Sequence, residues 1–186
     1  MTGTSAAPEL FTQAVAALRS LRPRPEMRIE EVRAPQRLAP WACAFTAEVD
    51  GPAGIMATGR LVLLCDPDGE EAWGGTLRVV AYVRAELDAE LAADPLLPEV
   101  TWSWLTDALA ACGADYGALG GTVTDTSSAR FGEIAGPART DDLELRASWT
   151  PHTAELTPHG EAFCDLMASV VGLPPVGVAA FGQRRG

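Results

Sequence analysis

The sequence EAWGGTLRVVAYVRAELDAELAADPLLPEVTWSWLTDALAACG, residues 71–113, holds the clearest structural pattern of the chain. Its first part alternates apolar and polar residues, which is typical of a half-buried strand from Trp73 to Arg84. A short polar helix at 86–93 follows, and an Asp-Pro break separates it from a second helix. Because the strand and the second helix both present wide apolar faces, the rest of the chain must cover them.

The second helix has Pro98 in its first turn and ends at Gly113, a residue suited to a C-terminal cap. Its predicted buried face consists of Leu97, Val100, Trp104, Leu105, Ala108, Leu109 and Cys112. Trp102 lies at the margin of that face. Since Trp is favoured at interfaces, Trp102 is predicted to contact a partner.

Alternation also predicts the neighbouring strands. Strands at 40–49 and 55–65 precede the strand at 73–84, with the second turn at Asp66-Pro67-Asp68-Gly69, so the three form an antiparallel meander. An edge strand at 27–33 and a hairpin of 119–128 with 143–149 complete the strands, and further helices are predicted at 9–21 and 158–171. Three strand tryptophans are predicted to face the core: Trp41, Trp73 and Trp149.

This order predicts an α+β fold. One antiparallel sheet of about five to six strands would carry helices mainly on one face, in the order α, three to four strands, α, two strands, α. A single domain is predicted for residues 9–181, and the flanking segments 1–8 and 182–186 are predicted to be disordered tails.

The charge disfavours nucleic acid as a partner. The chain has 14 basic and 25 acidic residues and a net charge of −11, and every basic residue is Arg. Broad contact with phosphates requires clustered cations. Six arginines do cluster in the segment 19–37: Arg19, Arg22, Arg24, Arg28, Arg33 and Arg37. A solvated segment is the simpler interpretation, and a docking edge for an acidic partner such as RNA is the alternative.

Cysteine and histidine spacing indicates neither a metal site nor a cofactor. The four cysteines are Cys43, Cys65, Cys112 and Cys164, which are far apart and lie in apolar patterns, so buried free thiols in a reducing compartment are expected. His152 and His159 are seven residues apart around a proline, and both are expected to be exposed. The segment MTGTSAAPEL has neither the basic nor the apolar region typical of a secretory leader, and no 18-residue apolar run occurs, so we expect a cytoplasmic protein without a membrane segment.

The polar face of the strand at 73–84 is the second candidate surface. It carries Arg78, Tyr82 and Arg84, which would form a cationic, partly aromatic platform if no helix covers that face. Arg130 is a further candidate for a binding residue because Arg, like Trp, is favoured at interfaces.

Six segments of the sequence carry a resemblance to a protein family: APQRLAPW (34–41), ATGRLVLLCDPDGEEAWGGTLRVVAYVRAEL (57–87), DPLLPEVTWSWLTDAL (94–109), GGTVTDTSSARFG (120–132), ASWTP (147–151) and GLPPVGV (172–178). They resemble an actinobacterial family of unknown function, catalogued as number 3000. The resemblance implies a cytosolic protein, often encoded beside a ribonuclease-D-like nuclease and enzymes of tetrapyrrole synthesis. It implies no catalytic residue. The order of elements is also similar to that of type III secretion chaperones, which is an analogy of fold alone.

The sequence therefore favours a non-enzymatic, cytosolic protein-binding or regulatory domain, chaperone-like in architecture, which binds an unidentified protein or forms a homodimer. One alternative is an accessory factor for RNA or nuclease function that uses the segment 19–37. The other is a small-molecule-binding protein or enzyme, which requires a deep pocket lined by Trp with His or Arg converging on it.

Overall fold

A computed structural model describes residues 6–134, 136–174 and 176. The helices are α1 (Glu9–Arg19), α2 (Ala89–Ala92), α3 (Leu97–Ala111) and α4 (Thr157–Val170). The strands are β1 (Met27–Val32), β2 (Trp41–Gly51), β3 (Gly54–Glu70), β4 (Gly75–Leu87), β5 (Tyr116–Ala129) and β6 (Arg139–Pro151). Residues 1–5 and 182–186, the greater part of the expected tails, lie outside the described residues.

The strands form one six-stranded antiparallel sheet in the order β1-β2-β3-β4-β6-β5. The predicted α+β class is confirmed, and so is the meander of β2, β3 and β4. The chain leaves β4 through α2 and α3 and returns as β5, but it is β6 that pairs with β4. β5 therefore becomes the outermost strand, at the opposite edge from β1.

Three helices cover one face of the sheet. α1, α3 and α4 contribute buried residues such as Leu18, Leu105 and Phe163 to a core that includes the inward residues of the strands. Trp149 of β6 is fully buried in this core, as predicted. The opposite face carries no described helix. Ala44, Val62 and Leu64 form a small buried cluster there, and most of the other outward side chains of the sheet are at least partly exposed.

A glycine in β3 allows α4 to approach the sheet closely. A Cβ atom at Gly59 would lie 2.6 Å from Met167 Sδ and 2.8 Å from the Cζ atom of Phe163. Real side chains do not approach this closely, so Gly59 is needed for the packing of α4.

The hairpin of β3 and β4 differs from the prediction. The expected turn at 66–69 is wrong, because β3 continues through it to Glu70, which pairs with Gly75. Asp66 accepts a hydrogen bond from the Asp68 amide and Gly69 has φ +81°, so these residues form an irregularity within the strand instead. The hairpin closes later, where the amides of Trp73 and Gly74 donate to the carbonyl of Glu70.

Trp73 is consequently not a core residue, and that prediction is wrong. It lies in the turn, half-buried, and packs on the open face of the sheet against a small cluster formed by Ala44, Val62 and Leu64. Trp41 is also only partly buried, although it packs against the main core beside Phe11, with ring centroids 6.2 Å apart.

The phase of α3 also differs from the prediction. Val100 is exposed, whereas Thr101 is fully buried together with Leu97, Leu105, Ala108 and Leu109. Thr101 Oγ1 donates to the Leu97 carbonyl at 2.7 Å, which satisfies its hydroxyl within the helix and makes burial possible. The preceding strand extends to Leu87, so the expected helix at 86–93 is reduced to the four residues of α2, capped by Asp88.

Candidate protein-interaction surface

The open face of the sheet carries the predicted platform, and its geometry departs from a cationic surface. Arg78, Tyr82 and Arg84 do point outward from β4, but carboxylates of β6 lie beside two of them. Arg84 Nη2 lies 3.1 Å from Asp142 Oδ1, and the Tyr82 hydroxyl donates to Glu144 Oε2 at 2.9 Å. The platform is therefore a row of compensated charges rather than a positive patch.

Tyr82 occupies the middle of this row. The guanidinium of Arg146 lies 5.2 Å from the centroid of its ring, and Arg146 also forms an ion pair with Glu144. Burial raises the pKa of Tyr82, and its hydrogen bond to Glu144 raises that pKa further. The hydroxyl therefore stays protonated at neutral pH, and the row of side chains serves to hold β4 and β6 together.

Arg78 has a different role from Arg84. Its Nη1 atom donates to the Ala118 carbonyl and to Thr150 Oγ1, both at 2.9 Å, and its Nη2 atom donates to Ser148 Oγ at 2.7 Å. None of these acceptors is a carboxylate, and burial lowers the pKa of the guanidinium. Arg78 thus connects β4 and β6 to the beginning of β5.

The beginning of β5 contains a bulge. The pairing with β6 shifts between Gly117 and Gly120, and Ala118 within this shift has φ 51°, an uncommon conformation for a residue with a side chain. The hydrogen bond from Arg78 to the Ala118 carbonyl holds the strained residue in place. Beyond the bulge, β5 pairs with β6 in regular register from Gly120 to Ala129.

The outer edge of β5 is the longest exposed backbone edge of the described chain. The strand has 14 residues, and from Gly120 to Ala129 every side chain except that of Val123 is exposed. Asp125 is its only charged residue, whereas β1 at the opposite edge has three charges in six residues. Natural edge strands are usually short or carry charges, prolines or a cover, because an open edge pairs with other chains. Apart from the bulge at its start and the single charge of Asp125, β5 has none of these protections.

Trp102 lies against this edge. It is partly buried, and it packs over Gly121 of β5, where a Cβ atom would lie 2.9 Å from Cζ3 of the indole. The structure therefore places the predicted contact residue beside the open strand, with part of its ring exposed. Arg130 lies apart from the row of Arg78, Tyr82 and Arg84. It follows the far end of β5, and its side chain donates to the Pro137 carbonyl.

Exposed apolar residues flank the far end of the same strand. Phe131 and Ile134, in the loop after β5, are 81% and 66% exposed. The β4 residue Leu87 pairs with Asp141 at the start of β6, so α3 begins at the same end of the sheet as this loop. Leu96 and Val100 at the start of α3 are exposed as well. The edge of β5 thus lies between Trp102 and an apolar end, as expected for a protein-binding surface.

Three of the six arginines of segment 19–37 are engaged by carboxylates. Arg19 pairs with Glu31 at 2.7 Å, Arg24 with Glu26 at 3.0 Å, and Arg28 with both Glu48 and Asp50. Arg24 also donates to the Pro174 carbonyl. In the described part of the chain, half of the six guanidiniums are therefore compensated, which weakens the segment as a site for phosphates.

The two histidines lie in different environments. His159 is buried, so the expectation of an exposed side chain is wrong for it: Trp149 Nε1 donates to His159 Nδ1 at 3.0 Å, and burial lowers the pKa of the imidazole to about 4. The hydrogen bond requires an unprotonated Nδ1, so His159 is neutral and serves as an acceptor in the core. His152 is exposed, with Nδ1 2.7 Å from Asp115 Oδ1.

The cysteines are all free thiols. Cys43 and Cys65 are buried as expected, whereas Cys112 and Cys164 are half-buried. Burial raises the pKa of Cys43 and of Cys112 to about 11, and that of Cys164 to about 12, so these thiols stay protonated and poorly nucleophilic. Within the described residues, no three His, Cys, Asp or Glu side chains are grouped as they would be to hold a metal ion.

A groove of 460 Å³ lies between α3 and α4. Trp104, Leu173 and Pro174 give it an apolar wall, and Asp107 and Asp165 lie at its border. Neither histidine lines it, and its arginine, Arg24, is engaged by Glu26 and by Pro174. Of the residues that the structure describes around the groove, the polar ones are Arg24, Asp107, Asp165 and Ser169, and no histidine or thiol is among them.

The comparison with protein families matches residues 7–179 to a model described as Protein of unknown function (DUF3000). The chain belongs to this family. Neither the curated proteins nor the solved structures contain a match. In addition, no helix among the described residues is long and apolar enough to cross a membrane.

Proposed function

We propose that the chain is a non-catalytic protein-binding domain that binds its partner by adding an extended segment to the edge of β5. The observation that carries this proposal is the composition of β5: 14 residues of mostly Gly, Thr and Ser, with a single charge and an exposed outer edge. Main-chain hydrogen bonds along such an edge supply affinity, and side chains beside it supply specificity.

Trp102 is the proposed specificity residue. Its ring covers Gly121 on the helical side of the edge, so a strand added to β5 would place alternate side chains next to the indole. A partly exposed Trp fixed by packing is a rigid contact surface that loses little conformational entropy on binding. A partner segment with apolar residues at every second position fits this arrangement.

A regulatory or chaperone-like role and a cytoplasmic location belong to the same proposal. Four free thiols favour a reducing compartment. A catalytic function finds no support in the described side chains, because the histidine with a shifted pKa is an acceptor for Trp149 and the thiols are protonated.

Selection of peptides from a random displayed library tests the proposal. We expect the native chain to select segments of alternating apolar pattern, and we expect their binding to be lost in Thr122→Lys/Thr124→Lys, which places two charges on the β5 edge. The matched control is Thr58→Lys, an exposed threonine on the same open face but in the central strand β3. At a concentration where the chain is monomeric, selection of no β5-dependent peptide, or equal binding by the edge variant, would contradict the proposal.

A further inference from the structure

We infer that the strand that β5 receives in the isolated protein is β5 of a second copy, with a two-fold axis at Val123. This inference rests on the proposed function, since it uses the same edge, and it names the partner. An antiparallel strand can pair with its own copy only if the residues brought opposite each other are compatible.

The regular part of β5 satisfies this condition in one register. With Val123 opposite Val123 of the second copy, Thr122 lies opposite Thr124, Gly121 opposite Asp125, and Gly120 opposite Thr126. Successive side chains point to opposite faces of a sheet, so the two Val123 side chains meet on the helical side. The Thr122 and Thr124 pairs form on the open side. This places an apolar pair beside Trp102 and two Thr-Thr pairs toward solvent, combinations that stabilise antiparallel sheets.

The position of Asp125 decides against the neighbouring registers. A shift of the axis to Asp125 would bring two carboxylates directly opposite each other, which is destabilising. A shift to Thr124 would place Asp125 against Val123 on the helical side, where a carboxylate next to an apolar side chain loses hydration. Of the three registers compared, only the one centred on Val123 opposes Asp125 to a glycine and leaves room for water around the carboxylate.

The remaining surfaces agree with pairing at this edge rather than at β1. β1 has six residues, three of them charged, and Arg19 of α1 reaches Glu31 of that strand. β5 is more than twice as long, and the exposed residues Phe131 and Ile134 follow it in the chain. A second copy docked along β5 would extend the six-stranded sheet to a continuous sheet of two copies.

Charge substitutions at two positions test both the dimer and its register. Thr122 pairs with Arg146 of β6 and Thr124 pairs with Glu144 within one copy. In Thr122→Glu/Thr124→Lys, each introduced charge lies opposite a residue of opposite sign in its own copy and opposite a residue of opposite sign in the second copy. In Thr122→Lys/Thr124→Lys, like charges face each other across the dimer, and this pair of substitutions should weaken dimerisation at least about tenfold.

Sedimentation velocity across a micromolar concentration series gives the readout, with far-UV circular dichroism to verify folding. We expect the native chain and Thr122→Glu/Thr124→Lys to be dimers and Thr122→Lys/Thr124→Lys to be a monomer. If the latter folds poorly, mixing it with Thr122→Glu/Thr124→Glu should restore the dimer through complementary charges. A dimer that persists in the all-lysine variant, or a monomer for Thr122→Glu/Thr124→Lys, overturns the inference.

The failure of the dimer is distinguishable from the failure of the proposed function. A native chain that is monomeric throughout the series but still selects β5-dependent peptides overturns the second copy as partner and leaves the binding edge in place. A monomeric chain that selects no such peptide overturns both.

Discussion

Trp102 packs its indole over Gly121, so the helix α3 and the edge strand β5 are joined at a residue without a side chain. A Cβ atom at position 121 would lie 2.9 Å from Cζ3 of Trp102 and 2.3 Å from the carbonyl oxygen of Arg146 in β6. The second distance involves backbone, which cannot rotate away. The absence of a side chain at Gly121 therefore allows both the packing of Trp102 on β5 and the short distance between β5 and β6.

We predict that Gly121→Ala lowers the free energy of unfolding by about 1–3 kcal/mol, because overpacking forces the two strands apart. Urea denaturation of the native chain and the variant measures this change in the free energy of unfolding. The matched control is Gly120→Ala in the same strand, where a Cβ atom meets nothing within 4 Å, and we expect a change within about 0.5 kcal/mol. Equal effects of the two substitutions would show that the contact with Trp102 and β6 is not tight.

Gly59 makes the corresponding contact for α4. We predict that Gly59→Ala costs about 1–3 kcal/mol, since the added methyl group meets Met167 and Phe163. In the background of Met167→Ala the same substitution should cost less, because the sulfur is then absent. Chemical denaturation of the four proteins in this cycle measures the coupling, and strictly additive effects would contradict the close approach of α4.

His159 predicts a pH dependence of stability. Its pKa is about 4 in the folded chain and near 6.5 when unfolded, so the unfolded state binds more protons between these values. Stability is then fully present above pH 6.5 and decreases as the pH falls toward 4. Carboxylates with a lowered pKa, such as Glu26, Asp141 and Glu144, stabilise the fold above their unfolded pKa values of about 4, and this stability is lost mainly as the pH falls below those values. The interval from pH 6.5 to 5 therefore reports chiefly on His159.

Urea denaturation at pH 5.0 and 7.0 checks this prediction. We expect His159→Gln to lose the difference between the two pH values that the native chain shows. The substitution should also lower stability at pH 7 by about 1–3 kcal/mol if the amide fails to accept the Trp149 indole N–H. His152→Gln is the control, because that side chain is exposed, and it should retain the native pH dependence. A native chain equally stable at both pH values would contradict the assignment.

Arg78 and Arg84 lie on the same face of β4 but should respond differently to substitution. Arg78→Ala removes three hydrogen bonds and releases the Ala118 carbonyl, so we expect a loss of about 1–3 kcal/mol and faster hydrogen exchange in residues 116–120. Arg84→Ala breaks an exposed ion pair with Asp142, which should change stability by no more than about 1 kcal/mol. Thermal unfolding measures the stability of both variants, and amide exchange measures the opening of residues 116–120. An unchanged exchange rate at 116–120 after Arg78→Ala would contradict the proposed role of Arg78 at the bulge.

The sequence predicts the regular parts of the fold because local periodicity determines them. The alternation of residues 40–49 and 77–83 assigns the inward residues of β2 and β4 correctly, since one face of each strand is buried against helices. The class follows from the order of strands and helices. Trp149 could be placed in the core on the same grounds.

Features that depend on contacts between distant residues could not be read in this way. Thr101 is buried because its hydroxyl bonds to Leu97 inside α3, and a hydropathy pattern treats it as polar. His159 is buried because Trp149, ten residues earlier, supplies a donor. Trp73 lies in a turn because the hairpin closes at Gly74 rather than at Gly69, and both glycines have positive φ.

The proposed function rests on the position of β5 at the edge of the sheet, and the sequence contains a signal for that position. β6 alternates large apolar residues such as Leu143 and Leu145 with polar ones, whereas β5 has mostly Gly, Thr and Ser. The contrast indicates that β6 is the inner strand. No local sequence pattern indicates that β4 pairs with β6 rather than with β5. The sequence therefore predicts Trp102 as a contact residue but does not predict that β5 is the open strand beside it.

The most direct test of the binding edge is amide hydrogen exchange of the native chain with and without a peptide selected by it. We predict that, at a concentration where the native chain is monomeric, the peptide slows exchange in residues 116–129 and near Trp102, and that Thr122→Lys/Thr124→Lys shows no such change. Slower exchange confined to β1, or to the groove between α3 and α4, would contradict it.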